Sequence, residues 1–206
     1  MIWSKRPRLT ALLVLMVVVT TTNAQLATIP EQLARAGRSL SAGPSIPSGL
    51  PPSLDRILSD TDIIVRGVVG TPRSYLTEDQ IDIYSDYPVR NAVVLYRAPP
   101  VRSQKLETSM LTVRLLGGSI TISGLTFTSR HAALPSLESG VEYLLLLRRV
   151  AGNQYHIAGN YFGAFSIEDG KLTPSTKKHG FSAEYQGAPV ASAQEQMVGR
   201  IRTLRE

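Results

Sequence analysis

The chain has 206 residues, 22 Lys+Arg against 16 Asp+Glu for a formal charge of +6, three histidines and no cysteine. The missing cysteine excludes thiol catalysis, cysteine-ligated zinc, thiol redox chemistry, disulfide staples and a lipid-modified cysteine anchor. A chain this long can still bury enough apolar surface to fold as one unstapled domain.

Residues 1–24 read as a secretory signal. Lys5, Arg6 and Arg8 precede an apolar run from Leu9 to Val19, broken only by Thr10; Thr20 to Asn23 are polar, and the small Ala24 follows. This pattern predicts cleavage between Ala24 and Gln25. The run spans about 16 Å as a helix, roughly half a bilayer core, so it is too short for a transmembrane anchor. Removing residues 1–24 takes away three basic residues and no acidic ones, which leaves 182 residues at a net charge of +3. That balance gives little reason to expect a nucleic acid partner. The expectation is an exported protein, periplasmic or extracellular, with no transmembrane segment in the mature chain.

Residues 25–52 are rich in Ala, Ser, Gly and Pro and read as a flexible leader, with one weak helical turn near Glu31–Ala36. Next comes "SLDRILSD", where Ser53 suits an N-cap and Leu54, Ile57 and Leu58 share a helical face. A series of strands follows. Ile63–Val69 is apolar and β-branched, Ile81–Tyr87 alternates, and Val89–Tyr96 resumes after Pro88. Pro88 cannot donate to a ladder and marks an edge, bend or break. Met110–Leu116 alternates, with Leu111, Val113 and Leu115 on one face. Val141–Val150 holds four consecutive leucines, as in a strand buried on both faces. Hairpin signals then join this run to Gln154–Ala158, and Phe165–Ile167 to Lys171–Leu172 through Asp169-Gly170. Pro189 opens a helix running to about Leu204, with Val190, Ala193, Met197, Ile201 and Leu204 on one face. Packing on the barrel suits this helix better than a membrane surface, because Ala193 adds little apolar area and Gly199 weakens the helix.

Short strands with turn signals and no βαβ alternation define an all-β fold. The expectation is a small OB-like barrel of five to seven strands, with a short N-terminal helix and a C-terminal amphipathic helix. The barrel domain covers 53–180, and a loop with the C-terminal helix covers 181–206.

The stretch "LLGGSITISGLTF" carries adjacent glycines. The apolar parity is odd before them, even at Ile120 and Ile122, and odd again at Leu125 and Phe127. Each flip requires an extra residue or a turn, and glycine tolerates such positions. A bent, bulged strand and a two-residue Gly117-Gly118 hairpin both fit. A phosphate loop does not fit, because no lysine follows Gly124 and no G-x-G-x-x-G occurs.

The stretches "DIIVRGVV", "IYSDYPVR", "LTVRLLGGSI", "ESGVEYLLLLRR" and "GAFSIEDGKLTP" occur in an order that resembles a family of exported bacterial proteins of unknown function. The resemblance covers roughly residues 53–175, with Gly140-Val141-Glu142 where the family pattern has Gly and Glu adjacent. It implies an OB-like barrel and export, and implies no activity.

Candidate chemistry is sparse. His131, His156 and His179 are not at metal-ligand spacing, and no G-x-S-x-G elbow exists. His131 follows Ser129-Arg130 in a loop, His156 is expected on a solvated strand face, and His179 sits in the "STKKHG" loop. Glu78, Asp79, Asp82 and Asp86 cluster without the calcium-loop pattern. A solvated face is the simpler reading of them. Tyr84, Asp86 and Pro88 share one face, opposite Tyr87. Tyr155, Tyr161, Phe162 and Phe165 lie close in sequence to Arg148 and Arg149, as in a stacking surface, or else they form core and rim.

No residue is assigned as catalytic, cofactor-binding or metal-ligating. The leading expectation is a non-enzymatic exported module that binds a protein partner or an envelope component. One alternative is a hydrolase using His131 or the Asp82 and Asp86 carboxylates, which requires those groups to meet in one cleft. Another is an oligosaccharide-binding barrel, which requires Tyr155 and Tyr161 exposed on one groove.

Overall fold

The computed structural model describes residues 26–42, 53–99, 111–130, 137–159, 162–175 and 184–206. Ala24 and Gln25, His131, Tyr161 and His179 lie outside these ranges.

The chain opens with helix α1 (Ile29–Ala36) and strand β1 (Leu40–Ala42). The expected flexible leader is therefore ordered over 26–42. The helix is set by a capping box: Glu31 N–H donates to Thr28 Oγ1, and Thr28 N–H donates to Glu31 Oε2. Such a cap contributes about 0.5–2 kcal/mol. Gly37, at φ 60°, ends the helix with its N–H on the Leu33 carbonyl. Ile29 and Leu33 are buried against Ile83 and Phe127.

Helix α2 (Leu54–Ser59) starts where Ser53 Oγ accepts from Arg56 N–H, as the sequence implies. Strands β2 (Ile63–Val69), β3 (Arg73–Leu76), β4 (Ile83–Arg97) and β5 (Thr112–Leu116) follow. Next come β6 (Gly118–Ile122), β7 (Leu125–Ser129), β8 (Glu142–Ala151), β9 (Gln154–Ile157), β10 (Ala164–Glu168) and β11 (Lys171–Pro174). Helix α3 (Val190–Leu204) ends the chain.

Five strands close into a barrel in the order β2-β4-β5-β9-β8, and β8 returns to β2. Neighbours are antiparallel except β5 and β9, which run parallel with Val113 opposite Tyr155. Closure removes the exposed edges of these strands. The barrel interior holds Ile63, Val65, Tyr87, Val89, Val113, Leu145, Leu147, Tyr155 and Ile157. The four leucines are fully buried because Leu145 and Leu147 point inward while Leu144 and Leu146 point outward under α2 and α3. Val190, Ala193, Met197 and Ile201 of α3 join that outer cluster, whereas Leu204 is exposed. The apolar stripe of the helix thus ends one turn earlier than its sequence implies.

Pro88 does not break its strand. β4 continues through it, pairing with β3 over Ile83–Asp86 and with β2 over Val89–Arg97. The proline sits where β4 changes partners, so no ladder bond misses its N–H. Its carbonyl accepts from Gly70 N–H. Register shifts between β2 and β4 bend the strand around the barrel, and Asn91 takes φ 51° there.

The paired glycines form a corner between two sheets. Gly117 (φ 101°) and Gly118 (φ 135°) carry the chain from β5 in the barrel to β6 in a separate three-stranded sheet of order β1-β7-β6. Of the two expected forms, the bend is realised and the Gly117-Gly118 hairpin is not. The next parity flip is the β6–β7 turn, where Ser123 and Gly124 take φ 50° and 80°. Beneath the corner, Ser85 Oγ donates to the Gly117 carbonyl and contacts Ser74 Oγ at 2.8 Å. A Cβ on Gly118 would collide with both hydroxyls.

Candidate functional site

The acidic cluster separates into two roles. Glu78 and Asp79 lie exposed in the β3–β4 turn, where Gln80 takes φ 58°. Asp79 Oδ1 accepts from the Thr77 hydroxyl and from Ile81 N–H, and these bonds hold its carboxyl below the usual range. Asp82 pairs with Thr77 through its backbone. These are turn-forming contacts.

Asp86 belongs to β4 proper and faces outward beside Tyr84. Arg114 of β5, directly opposite, clamps it: Nε donates to Oδ1 at 2.8 Å and Nη2 to Oδ2 at 3.0 Å. The Tyr75 hydroxyl adds a third bond to Oδ2 at 3.1 Å. The Arg114 guanidinium lies 5.3 Å from the ring centres of both Tyr75 and Tyr84. Those rings sit 6.3 Å apart, tilted by 51°. Each cation–π contact contributes about 0.5–2 kcal/mol, more as water is excluded. Both charged side chains retain about a fifth of their exposure, 21% and 20%. The bond to Asp86 pushes the Arg114 pKa up, and burial together with the same carboxylate pushes the Tyr75 phenol up. The constellation therefore holds a guanidinium, a carboxylate and a neutral phenol in fixed positions.

His156 stands on the same outer face. Its cross-strand partner on β8 is Arg148, and on its other side Arg114 follows directly after the last parallel pair of β5 and β9, Val113 with Tyr155. It keeps the outward face expected from the sequence and is half-buried there. Burial lowers its pKa, Arg148 and Arg114 lower it further, and Asp86 opposes them.

Among the described residues, the other candidates do not come together in one cleft. Asp82 lies at the turn before β4 and Asp86 four residues further along, about 13 Å away between Cα atoms in an extended chain. The Asp86 carboxylate is already committed to Arg114 and Tyr75. His131 lies outside the described residues. Tyr155 is completely buried inside the barrel, so a stacking groove built on Tyr155 and Tyr161 is ruled out. The Tyr155 hydroxyl has no hydrogen-bond partner among the described residues, and burial raises its pKa. Phe162 and Phe165 are core residues in the cluster under α3. Among the described residues, no group of three or more His, Asp or Glu could hold a metal ion, and no helix is long and apolar enough to cross a membrane.

Sequence reasoning found Asp86 and Tyr84 by parity but missed Tyr75 and the pairing with Arg114. Tyr75 sits in a four-residue strand, too short for alternation to register. Arg114 is legible as an outward residue, but its partner depends on cross-strand register.

No family model matches the chain, and no curated protein matches it.

Proposed function

We propose that this protein is an exported binding module whose outward face of β3, β4, β5 and β9 engages a protein partner or an envelope component. One observation carries the reading. Arg114 lies against the rings of two neighbouring tyrosines, Tyr75 and Tyr84, and is locked to Asp86 on the outside of the barrel, on the wall away from α2 and α3. Rigid aromatic and arginine side chains supply binding energy at little entropic cost, and OB-like barrels use the outer faces of their strands for recognition. Export rests on the basic, apolar and small-residue pattern of residues 1–24.

Two measurements test the reading. Intact mass of the protein recovered outside the cytoplasm should place its N-terminus within a few residues of Gln25; retention of residues 1–20 removes the export half. Immobilised protein should retain a component of envelope extract that Tyr84→Ala fails to retain at an unchanged melting temperature. Equal retention by parent and variant removes this face from the function.

A further inference from the structure

The proposed binding face carries an ordered lateral row. Register places Arg148 opposite His156, Asp86 opposite Arg114 and Arg73 opposite Asp86, and Arg114 and His156 each follow the last parallel pair of β5 and β9, Val113 with Tyr155. The side chains of Arg148, His156, Arg114 and Asp86 leave the barrel on the outside, because their strand neighbours Leu147, Tyr155, Val113 and Tyr87 fill its interior, and Arg73 is exposed on β3 beside them. Three permanent cations and one anion thus stand in a line across five strands.

The one anion is spent. Asp86 takes both bonds from Nε and Nη2 of Arg114, which leaves the other guanidinium nitrogen, Nη1, outside that clamp. Arg148 is exposed and makes no ion pair among the described residues. Adjacent strands are about 4.8 Å apart, so Arg148 and Arg114 flank His156 across roughly 10 Å. The Arg114 guanidinium leans toward Asp86, Tyr75 and Tyr84, so a small anion above the imidazole would meet it through Nη1 and would draw the exposed Arg148 side chain in from the other side. Charge-assisted bonds of this kind are short and strong, and arginine matches the geometry of carboxylate and phosphoryl groups.

We propose that Arg148, His156 and Arg114 form a binding site for an oxyanion, the carboxylate of a sugar acid or a phosphoryl group. The proposal rests on the reading of this face as a binding surface and names the chemistry that the face accepts. The charged groups that face His156 are Arg148 from β8, Arg114 from β5 and Asp86 from β4. With no anion present, the two arginines disfavour imidazolium. A bound oxyanion reverses that balance, so binding takes up a proton at His156 and tightens as pH falls.

The test uses protein purified after expression of the full chain. Inorganic phosphate, sodium glucuronate and neutral glucose are titrated in separately at matched ionic strength. The His156 ring resonance is followed by NMR and identified by its loss in His156→Gln. The expected result is a rise in the His156 pKa with phosphate or glucuronate and none with glucose. Arg148→Ala, an exposed position, should keep the parent melting temperature and weaken binding on the order of tenfold, as for loss of a charge-assisted bond. A response to phosphate alone assigns a phosphoryl source, and a response to glucuronate alone assigns a sugar acid. An unchanged His156 pKa with both anions, or parent affinity in Arg148→Ala, overturns the site. Retention of an envelope component that is lost in Tyr84→Ala, without any anion response, removes this site and keeps the binding face. An anion response without such retention does the reverse.

Discussion

The two outer walls of the barrel are built from the same alternating strands and meet opposite fates. On β2 and β8, the outward residues Ile64, Leu144 and Leu146 are fully buried beneath α2 and α3. On β5, β9 and the first half of β4, the outward residues include Tyr84, Asp86, Arg114 and His156, all partly exposed. The first wall is a second hydrophobic core, where each buried leucine contributes about 1.5–3 kcal/mol. The second gains little from burial and is held by a charge pair and two ring contacts. Strand β8 carries both characters: Leu144 and Leu146 lie under the helices, and Arg148, two residues on, projects into solvent. The covered wall is where stability is concentrated, which leaves the bare wall free to carry polar side chains in fixed places.

The sharpest way to break this comparison is to truncate matched positions on the two walls. Leu146→Ala should cost about 2–5 kcal/mol in chemical denaturation, the range for a fully buried leucine. Arg148→Ala, on the same face of the same strand, should change stability by no more than about 0.5 kcal/mol. Similar losses for the two would mean that the walls do not differ in role.

A smaller effect is expected at the corner that leads off the bare wall. Gly118→Val should cost about 1–3 kcal/mol, because φ 135° strains a β-branched residue and its side chain meets the Ser85 and Ser74 hydroxyls. A variant that melts like its parent would show that the corner can re-form with ordinary backbone angles.

The smallest effect is a pH dependence. The folded-state pKa of His156 lies below its ordinary 6.5. The unfolded chain therefore takes up this proton first on acidification. The contribution of neutral His156 to stability is complete above pH 6.5 and is lost as pH falls through the lower folded value. Denaturation midpoints of the parent should decline over that window more than those of His156→Gln. Parallel declines would mean that neither burial nor the neighbouring Arg148 and Arg114 lower the His156 pKa.

Much of this was legible residue by residue. The Ser53 cap, the buried leucine run and the Asp169-Gly170 turn follow from local chemistry and are found where the sequence puts them, while the Val190–Leu204 stripe is buried only as far as Ile201. The capping box at Thr28 and Glu31 was equally local, yet the surrounding Ala, Ser, Gly and Pro composition hid it. Composition averages over a window, whereas a cap needs only two side chains at the right spacing.

The sequence alone determined the face on which each side chain would lie, because alternation and helical periodicity are properties of the local backbone. It could not determine which faces meet. The pairing of Asp86 with Arg114, the placing of His156 between two arginines, and the burial of Tyr155 inside the barrel all depend on register between strands distant in the chain. Register is chosen by the closure of the whole barrel, where a slip of one residue would turn every inward side chain out. For that reason the candidate site belongs to the tertiary structure, while the residues that compose it were already visible as outward-facing positions on their separate strands.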